Sequence, residues 1–190
     1  MTRARARREP VPAERAETLR QRIRALLAGE PLLDNHLPCL IIAEMKIYLD
    51  VCCLSRPFDD LSQDRVRLES EAILTILERC QKGTWRLVGS EAVTFEIAQN
   101  PDPAKRNRVA ALVEVAAVTV LLDSLVERRA TELERQGFSP FDAVHLACAE
   151  RGQAEVFLTT DDELVRKAKR KGVLVLPKVA NPVQMADRGG

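Results

Sequence analysis

Two aspartates each follow a short apolar segment of the kind that forms a buried strand. Asp50 comes directly after Ile47–Leu49, and Asp161 follows Val156–Thr160. In an open parallel sheet, ligands bind beyond the carboxyl ends of the strands, where rigid structure holds a carboxylate that remains accessible. Two such acids on neighbouring strands would lie close together, and their repulsion would raise their pKa values unless a cation neutralised them. The pattern therefore predicts a divalent-metal site.

Two further acids could complete this site from predicted helices. Ser139 and Pro140 are the residue types favoured at an N-cap and a first helical position, which places Asp142 in the first turn of an apolar helix. An acid there also interacts favourably with the helix dipole, so a purely structural role stays open. Glu96 lies within another predicted helix. Glu91 is its competitor, but the two occupy different faces of the helix, so only one of them can enter the site.

The neighbours of these acids allow more than one role. Asp162 stands directly after Asp161 and is the second choice for the metal site, because both also fit a capping sequence that starts a helix. His145 lies one helical turn after Asp142, and its apolar neighbours favour a packed, hydrogen-bonded side chain over a ligand. Arg56, in a proline-containing loop, is the candidate for a bidentate contact with a substrate phosphate.

Strand and helix patterns alternate from Met45 onward. The predicted strands cover residues 47–49, 85–88, 118–122, 156–159 and 173–176. The predicted helices cover residues 63–81, 90–99, 104–115, 125–136 and 139–152, followed by one that ends at about residue 171. Strands that alternate with helices favour a parallel sheet covered on both faces. We therefore predict a three-layer α/β/α fold with a central parallel sheet.

The chain divides into an N-terminal extension over residues 1–44, one domain over residues 45–180 and a C-terminal tail over residues 181–190. Residues 1–30 carry eight arginines and four glutamates, a formal charge of +4, whereas the whole chain carries +1. The remainder is therefore −3, which excludes a strongly basic nucleic-acid-binding body. Any nucleic acid must be held by local patches or through metal.

The extension has two different parts. Residues 1–12 are arginine-rich without apolar periodicity and are expected to be disordered. Residues 13–29 form an amphipathic pattern whose apolar face comprises Leu19, Ile23, Leu26 and Leu27. A helix that docks elsewhere and a translation start at Met45 both remain open. A mitochondrial transit peptide is less favoured, because such segments avoid acids.

Composition narrows the class of protein further. A chain of 190 residues with 46% hydrophobic residues can form one domain with a substantial core. No apolar run approaches the roughly 18 residues that span a bilayer, and no secretory signal is evident, so we expect a cytoplasmic protein without membrane contact. The five cysteines lack metal-ligand spacing. Adjacent Cys52 and Cys53 are expected to pack as small apolar side chains.

Four segments, in this order along the chain, resemble the PIN domain, the nuclease fold found in the toxins of VapBC-type toxin–antitoxin pairs. They are Leu49-Asp50, Val93-Thr94-Phe95-Glu96-Ile97, Asp142-Ala143-Val144-His145-Leu146-Ala147 and Leu158-Thr159-Thr160-Asp161. The resemblance covers roughly Met45 to Pro177. The chain departs from many relatives after the first aspartate, where they carry a hydroxyl or amide residue and this chain has Val51-Cys52-Cys53.

The resemblance implies a function as well as a fold. It implies an endoribonuclease that needs Mg²⁺ or Mn²⁺, with Asp50, Glu96, Asp142 and Asp161 as the metal-site and catalytic acids. It further implies an RNA substrate, an antitoxin protein as partner and a homodimer. Two alternatives stay open: a catalytically silent PIN-like module that binds RNA or protein, and an α/β interaction domain whose acids are helix caps and strand ends.

Overall fold

The computed structural model describes residues 13–28, 45–171 and 177–186. Its strands are β1 (Met45–Leu49), β2 (Trp85–Ser90), β3 (Val118–Val120), β4 (Val156–Leu158) and β5 (Lys178–Ala180). Its helices are α1 (Ala13–Ala28), α2 (Val51–Ser55), α3 (Asp64–Gln81), α4 (Glu91–Ala98), α5 (Pro103–Val113), α6 (Ser124–Arg135), α7 (Pro140–Arg151), α8 (Asp162–Lys171) and α9 (Val183–Ala186). The five strands form one parallel sheet in the order β3-β2-β1-β4-β5, flanked by helices. The predicted three-layer α/β/α fold is confirmed.

One segment differs from the sequence prediction, and another cannot be compared with it. The proline-containing loop that holds Arg56 is partly helical: α2 leads into a 3₁₀ turn over Arg56–Phe58. The side chain of Asp50 starts α2 by accepting a hydrogen bond from the Val51 amide, and Pro57 favours the 3₁₀ turn by fixing its backbone angle. The predicted last strand, residues 173–176, lies outside the described residues. The fifth strand of the sheet is found just after it, at Lys178–Ala180.

The strand order creates a crevice at one end of the sheet. From β1 the chain adds β2 and β3 on one side, and then returns to add β4 and β5 on the other. β1 and β4 are therefore neighbours whose connections leave in opposite directions, and such a switch point opens a crevice beyond the strands' carboxyl ends. Asp50 follows β1 at this place, and its amide donates to the Leu158 carbonyl of β4 at 2.9 Å. The topology thus brings the two acid-bearing strand ends together.

The centre of the sheet is buried on both faces, as its apolar strands predict. Ile47 and Tyr48 of β1 are fully buried, and the Tyr48 ring stacks on Phe157 of β4 with ring centroids 5.3 Å apart. The C-terminal end of helix α7 packs closely against β2 of this sheet. A Cβ atom at Gly152, its C-cap, would lie 2.3 Å from Cγ1 of Val88, so only glycine allows α7 to approach β2 this closely.

The amphipathic helix of the extension packs on α3 of the same chain. Leu19 and Leu26 of α1 are buried, and Ile23 and Leu27 lie against the same core. Arg22 adds polar contacts, donating to Glu78 at 2.7 Å. The expected disorder of residues 1–12 lies outside the described residues.

The C-terminal tail contributes one short element. Helix α9 packs on α3 and buries the side chain of Met185. Among the helices that the structure describes, none is long and apolar enough to span a membrane.

Candidate metal centre

Three side chains converge beyond the carboxyl ends of β1 and β2. Asp50 follows β1, Glu96 lies on α4, and His145 lies on α7. One potential ligand atom from each residue lies within 4.8 Å of the other two. Within the described residues this is the group with the composition and spacing of a metal site. It comprises two of the predicted acids together with a histidine that the sequence favoured as a packing residue.

The Asp50 carboxylate is fixed by donors on both of its oxygens. The Val51 amide donates to Oδ1 at 2.8 Å, while the Thr159 hydroxyl and the Cys52 thiol donate to Oδ2 at 2.8 and 3.1 Å. Burial raises the pKa of Asp50 above its ordinary value, although the nearby His145 and the hydrogen bonds from Cys52 and Thr159 act in the opposite direction. A carboxylate that is costly to ionise and rigidly held is one that a bound cation would stabilise.

A chain of buried hydrogen bonds leads from β2 to Glu96. Ser90 Oγ and Tyr48 Oη lie 2.7 Å apart, and Tyr48 Oη lies 2.8 Å from His145 Nδ1. On the other side of the imidazole, Nε2 lies 2.8 Å from Oε2 of Glu96. An ionised carboxylate only accepts hydrogen bonds, so Nε2 carries a proton. With a neutral imidazole, the direction of donation is therefore Ser90 to Tyr48 to His145 to Glu96.

Burial affects two members of this hydrogen-bond chain, Tyr48 and His145. Burial raises the pKa of Tyr48 well above its usual range, so the phenol remains a neutral donor. His145 is buried and hydrogen-bonded, as expected from its apolar helix. No local pattern indicates that its partner is Glu96, because the two residues are 49 positions apart. Glu91 is directed elsewhere, since its Oε2 accepts from the Leu122 amide at 2.7 Å.

Asp142 and Asp161 lie at the same end of the sheet but outside the compact group. Asp142 is half-buried in the first turn of α7, and its amide bonds the N-cap hydroxyl of Ser139 at 3.2 Å. Asp161 is exposed after β4, and its Oδ1 accepts from the amides of Glu163 and Leu164 at the start of α8. Among the described residues, the group of three ligand atoms within 4.8 Å therefore includes neither carboxylate.

The second-choice aspartate is engaged in an ion pair. Both oxygens of Asp162 accept from Arg65, at 2.6 and 2.9 Å. This guanidinium lowers the pKa of Asp162 below its ordinary value. Arg56, the predicted phosphate contact, forms ion pairs with Asp59 at 3.2 Å and with buried Glu69 at 3.0 Å, so a phosphate would have to compete with two carboxylates for it.

Cys52 does not pack merely as a small apolar side chain, which corrects the expectation from the sequence. Its sulfur lies 3.1 Å from Asp50 Oδ2 and 3.2 Å from Thr159 Oγ1, and it accepts from the Thr160 amide at 3.3 Å. The thiol thus contacts Asp50 in the segment where the resemblance implies a hydroxyl or amide residue. Cys53 is fully buried, as expected, and its thiol donates to the Leu158 carbonyl.

The donor set fits a divalent cation. Asp50 and Glu96 supply hard carboxylate oxygens of the kind that Mg²⁺ and Mn²⁺ prefer. Both ring nitrogens of His145 are engaged, Nδ1 by Tyr48 and Nε2 by Glu96, so the imidazole orients Glu96 and is not itself a ligand. A cavity of about 310 Å³ adjoins the group, with Cys52, Ser55, Glu96, Gln99 and Asn100 among its lining residues. The site therefore has open space beside it for substrate or water.

Comparison with known proteins agrees with the fold. The sequence model of the PIN domain family matches residues 47–170. Because the match covers more than half of the chain and spans all three residues of the compact group, this chain belongs to the PIN domain family. No curated protein matches the chain significantly. Membership supports a nuclease-like fold with a candidate metal site.

Proposed function

We propose that this protein is a divalent-metal-dependent endoribonuclease that hydrolyses RNA phosphodiester bonds. The observation that carries the proposal is the convergence of Asp50, Glu96 and His145 in a PIN domain, at the sheet end where α/β proteins bind ligands. Mg²⁺ or Mn²⁺ is the cofactor that this donor set favours. Asp142 and Asp161 flank the group, and we assign them to the same site as acids that contact the cation through water or hold a second one.

In this proposal some residues bind the cation, and others orient the carboxylates that bind it. Asp50 and Glu96 would hold the cation, and the chemistry that it would supply there is a lowered pKa of bound water and an offset to the charge of the phosphate. Thr159 and Cys52 keep the Asp50 carboxylate in one orientation, because both donate to the same oxygen. His145 does the same for Glu96 through its 2.8 Å contact. Orienting partners of this kind commonly set metal affinity.

Metal binding and cleavage test the proposal together. Titration with Mn²⁺, followed by the electron paramagnetic resonance of free Mn²⁺, should show binding that is lost in Asp50→Asn and weakened in Glu96→Gln. The matched control is Glu91→Gln, which changes an acid on the same helix that lies outside the group. Cleavage of single-stranded RNA should require Mg²⁺ or Mn²⁺, stop with EDTA, and disappear in Asp50→Asn. Equal Mn²⁺ binding by Asp50→Asn and the parent would refute the assignment of the centre.

We further propose a cytoplasmic toxin role, with an antitoxin protein as partner and a homodimeric state, on the strength of family resemblance. Induced expression should arrest growth in the parent and not in Asp50→Asn, and a small gene beside this one should encode a protein that relieves the arrest. Growth that is unaffected by the parent, while RNA cleavage is intact in vitro, would reject the toxin role and leave the nuclease.

One observation favours a catalytically silent RNA- or protein-binding module instead. Asp161 already caps α8 and, like Asp142, stands outside the compact group. If Mn²⁺ binds through Asp50 but no RNA is hydrolysed, the module is the better description.

A further inference from the structure

A second cavity lies beside the metal centre and is lined almost wholly by apolar side chains. Its volume is about 270 Å³, and its lining includes Ala92, Phe95, Leu122, Phe141, Val144 and His145. Phe95 and Phe141 are 57% and 60% exposed, which is unusual for phenylalanine. In the described part of the chain, neither ring pairs with another aromatic side chain. We call this cavity the aromatic slot.

The aromatic slot is continuous with the metal centre. Phe95 directly precedes Glu96 on α4, and Phe141 directly precedes Asp142 on α7. His145 belongs to both places, because it lines the slot and its Nε2 contacts Glu96 at 2.8 Å. Whatever enters the slot therefore lies next to a group bound at the metal centre.

The charges around the slot restrict what can enter. Glu96 and Asp142 are neighbours of the two rings, and they would repel an anionic phosphate that is not neutralised by a cation. The volume lies just below the roughly 300–1,000 Å³ of sites for drug-sized ligands, which suits a single ring system. An uncharged, flat, aromatic group satisfies both restrictions. In a nucleic acid, that group is the base.

We propose that the aromatic slot binds one unpaired nucleobase of a single-stranded substrate, in contact with both Phe95 and Phe141, while the adjacent phosphate lies at the metal centre. The inference rests on the proposed function and specifies its substrate class. A base inside a duplex is stacked on both faces and cannot enter, whereas a splayed base can stack on an aromatic side chain. Stacking of this kind tolerates different bases, since every base has a π-face.

The test uses a short single-stranded RNA that carries the fluorescent base 2-aminopurine, whose emission falls when it stacks. Titrations are run with Ca²⁺ in place of Mg²⁺ or Mn²⁺, and again in EDTA. The parent should quench the emission, and Phe95→Ala or Phe141→Ala should weaken binding about 5- to 150-fold. Phe141→Trp should retain binding because it retains a ring. Phe141→Leu should behave like Phe141→Ala, since it keeps the apolar volume without a π-face.

The matched control is Leu68→Ala. Leu68 is 47% exposed on α3 and lines a groove against α1 that shares no residue with the aromatic slot or the metal centre, so its replacement should leave RNA binding unchanged. Substitution of the reporter by an abasic nucleotide should weaken binding by the parent and not by Phe141→Ala. Equal binding by the parent, Phe141→Ala and Phe141→Leu would overturn the proposal. So would light scattering that shows Phe141→Ala to change the oligomeric state while RNA binding is unchanged, because the slot would then be a protein interface.

The two proposals fail in distinguishable ways. If Mn²⁺ binding does not depend on Asp50, or no RNA is cleaved, the nuclease assignment falls while ring-dependent quenching still stands on its own. If cleavage is metal-dependent but insensitive to Phe141→Leu and to the abasic nucleotide, the nuclease stands and the aromatic slot is rejected.

Discussion

Replacing Tyr48 by phenylalanine tests whether a buried hydrogen-bond chain orients the metal centre. The substitution keeps the ring that stacks on Phe157 and removes only the hydroxyl between Ser90 and His145. Nδ1 of His145 then has no donor, and the imidazole is no longer held in the form that donates to Glu96. We expect both stability and metal affinity to fall.

The magnitudes follow from burial and connectivity. A buried polar group left unsatisfied costs about 1–3 kcal/mol. For a chain of this size each kcal/mol lowers Tm by about 2–4 °C, so we expect a decrease of about 2–12 °C. Loss of a partner that orients a metal ligand typically weakens metal binding by about 10–100-fold. Mn²⁺ affinity is measured by titration well below the melting temperature, where both variants are folded.

The control for Tyr48→Phe is a substitution that destabilises the core without altering the hydrogen bonds that link Ser90, Tyr48, His145 and Glu96. Ile76→Val on α3 removes a methyl group from a fully buried position, at a cost of about 0.5–1.5 kcal/mol. It should lower Tm and leave Mn²⁺ affinity unchanged. If Tyr48→Phe also leaves the affinity unchanged, or if both variants weaken it equally, the hydrogen-bond chain does not orient the centre.

Three further outcomes are expected. Burial raises the pKa of Asp50, so its ionisation lowers the stability of the folded protein as pH rises above the unfolded-state value of about 4. Without metal, Asp50→Asn should therefore be at least as stable as the parent at neutral pH, and the difference should be smaller below pH 4. The variant should also lose the rise in Tm that Mn²⁺ gives the parent. Asp161→Asn should weaken Mn²⁺ binding and Asp162→Asn should not, because Asp162 is paired with Arg65; the reverse order of effects would exchange the roles of the two acids. The pair lowers the pKa of Asp162, so it stabilises the fold above the ordinary aspartate pKa, and this stabilisation is lost as pH falls through the lowered value. Deletion of residues 1–44 should leave a protein that binds Mn²⁺ and unfolds cooperatively, with a lower Tm by circular dichroism because α1 no longer packs on α3. A truncated chain that is insoluble or unfolds without cooperativity would show that the extension is part of the core.

The sequence by itself determined the layers of the fold and the position of the acids along it. Ile47–Leu49 and Val156–Leu158 are apolar runs that only a doubly covered sheet can bury, which is why their strands could be located without the structure. Ser139 and Pro140 fixed the start of α7 for a similarly local reason, since capping depends on residues close in sequence. The acids at these ends could therefore be named as candidates.

Tertiary structure decided which of these groups meet. His145 contacts Glu96 across 49 residues and Tyr48 across 97, and Thr159 donates to Asp50 across 109. Such contacts depend on strand order and on the rotation of each helix about its axis, and no local pattern records either.

Tertiary packing also determined the hydrogen-bond partners of the other polar side chains. Arg65 lies 97 residues from Asp162, and only the packing of α3 beside the end of β4 makes the two partners. Cys52 looked like one of two equivalent small apolar residues, yet the start of α2 turns its thiol to Asp50 and buries Cys53 against β4. Sequence patterns report the environment of a residue, whether buried or exposed, whereas hydrogen-bond partners are set by distances of a few ångströms between elements that are remote along the chain.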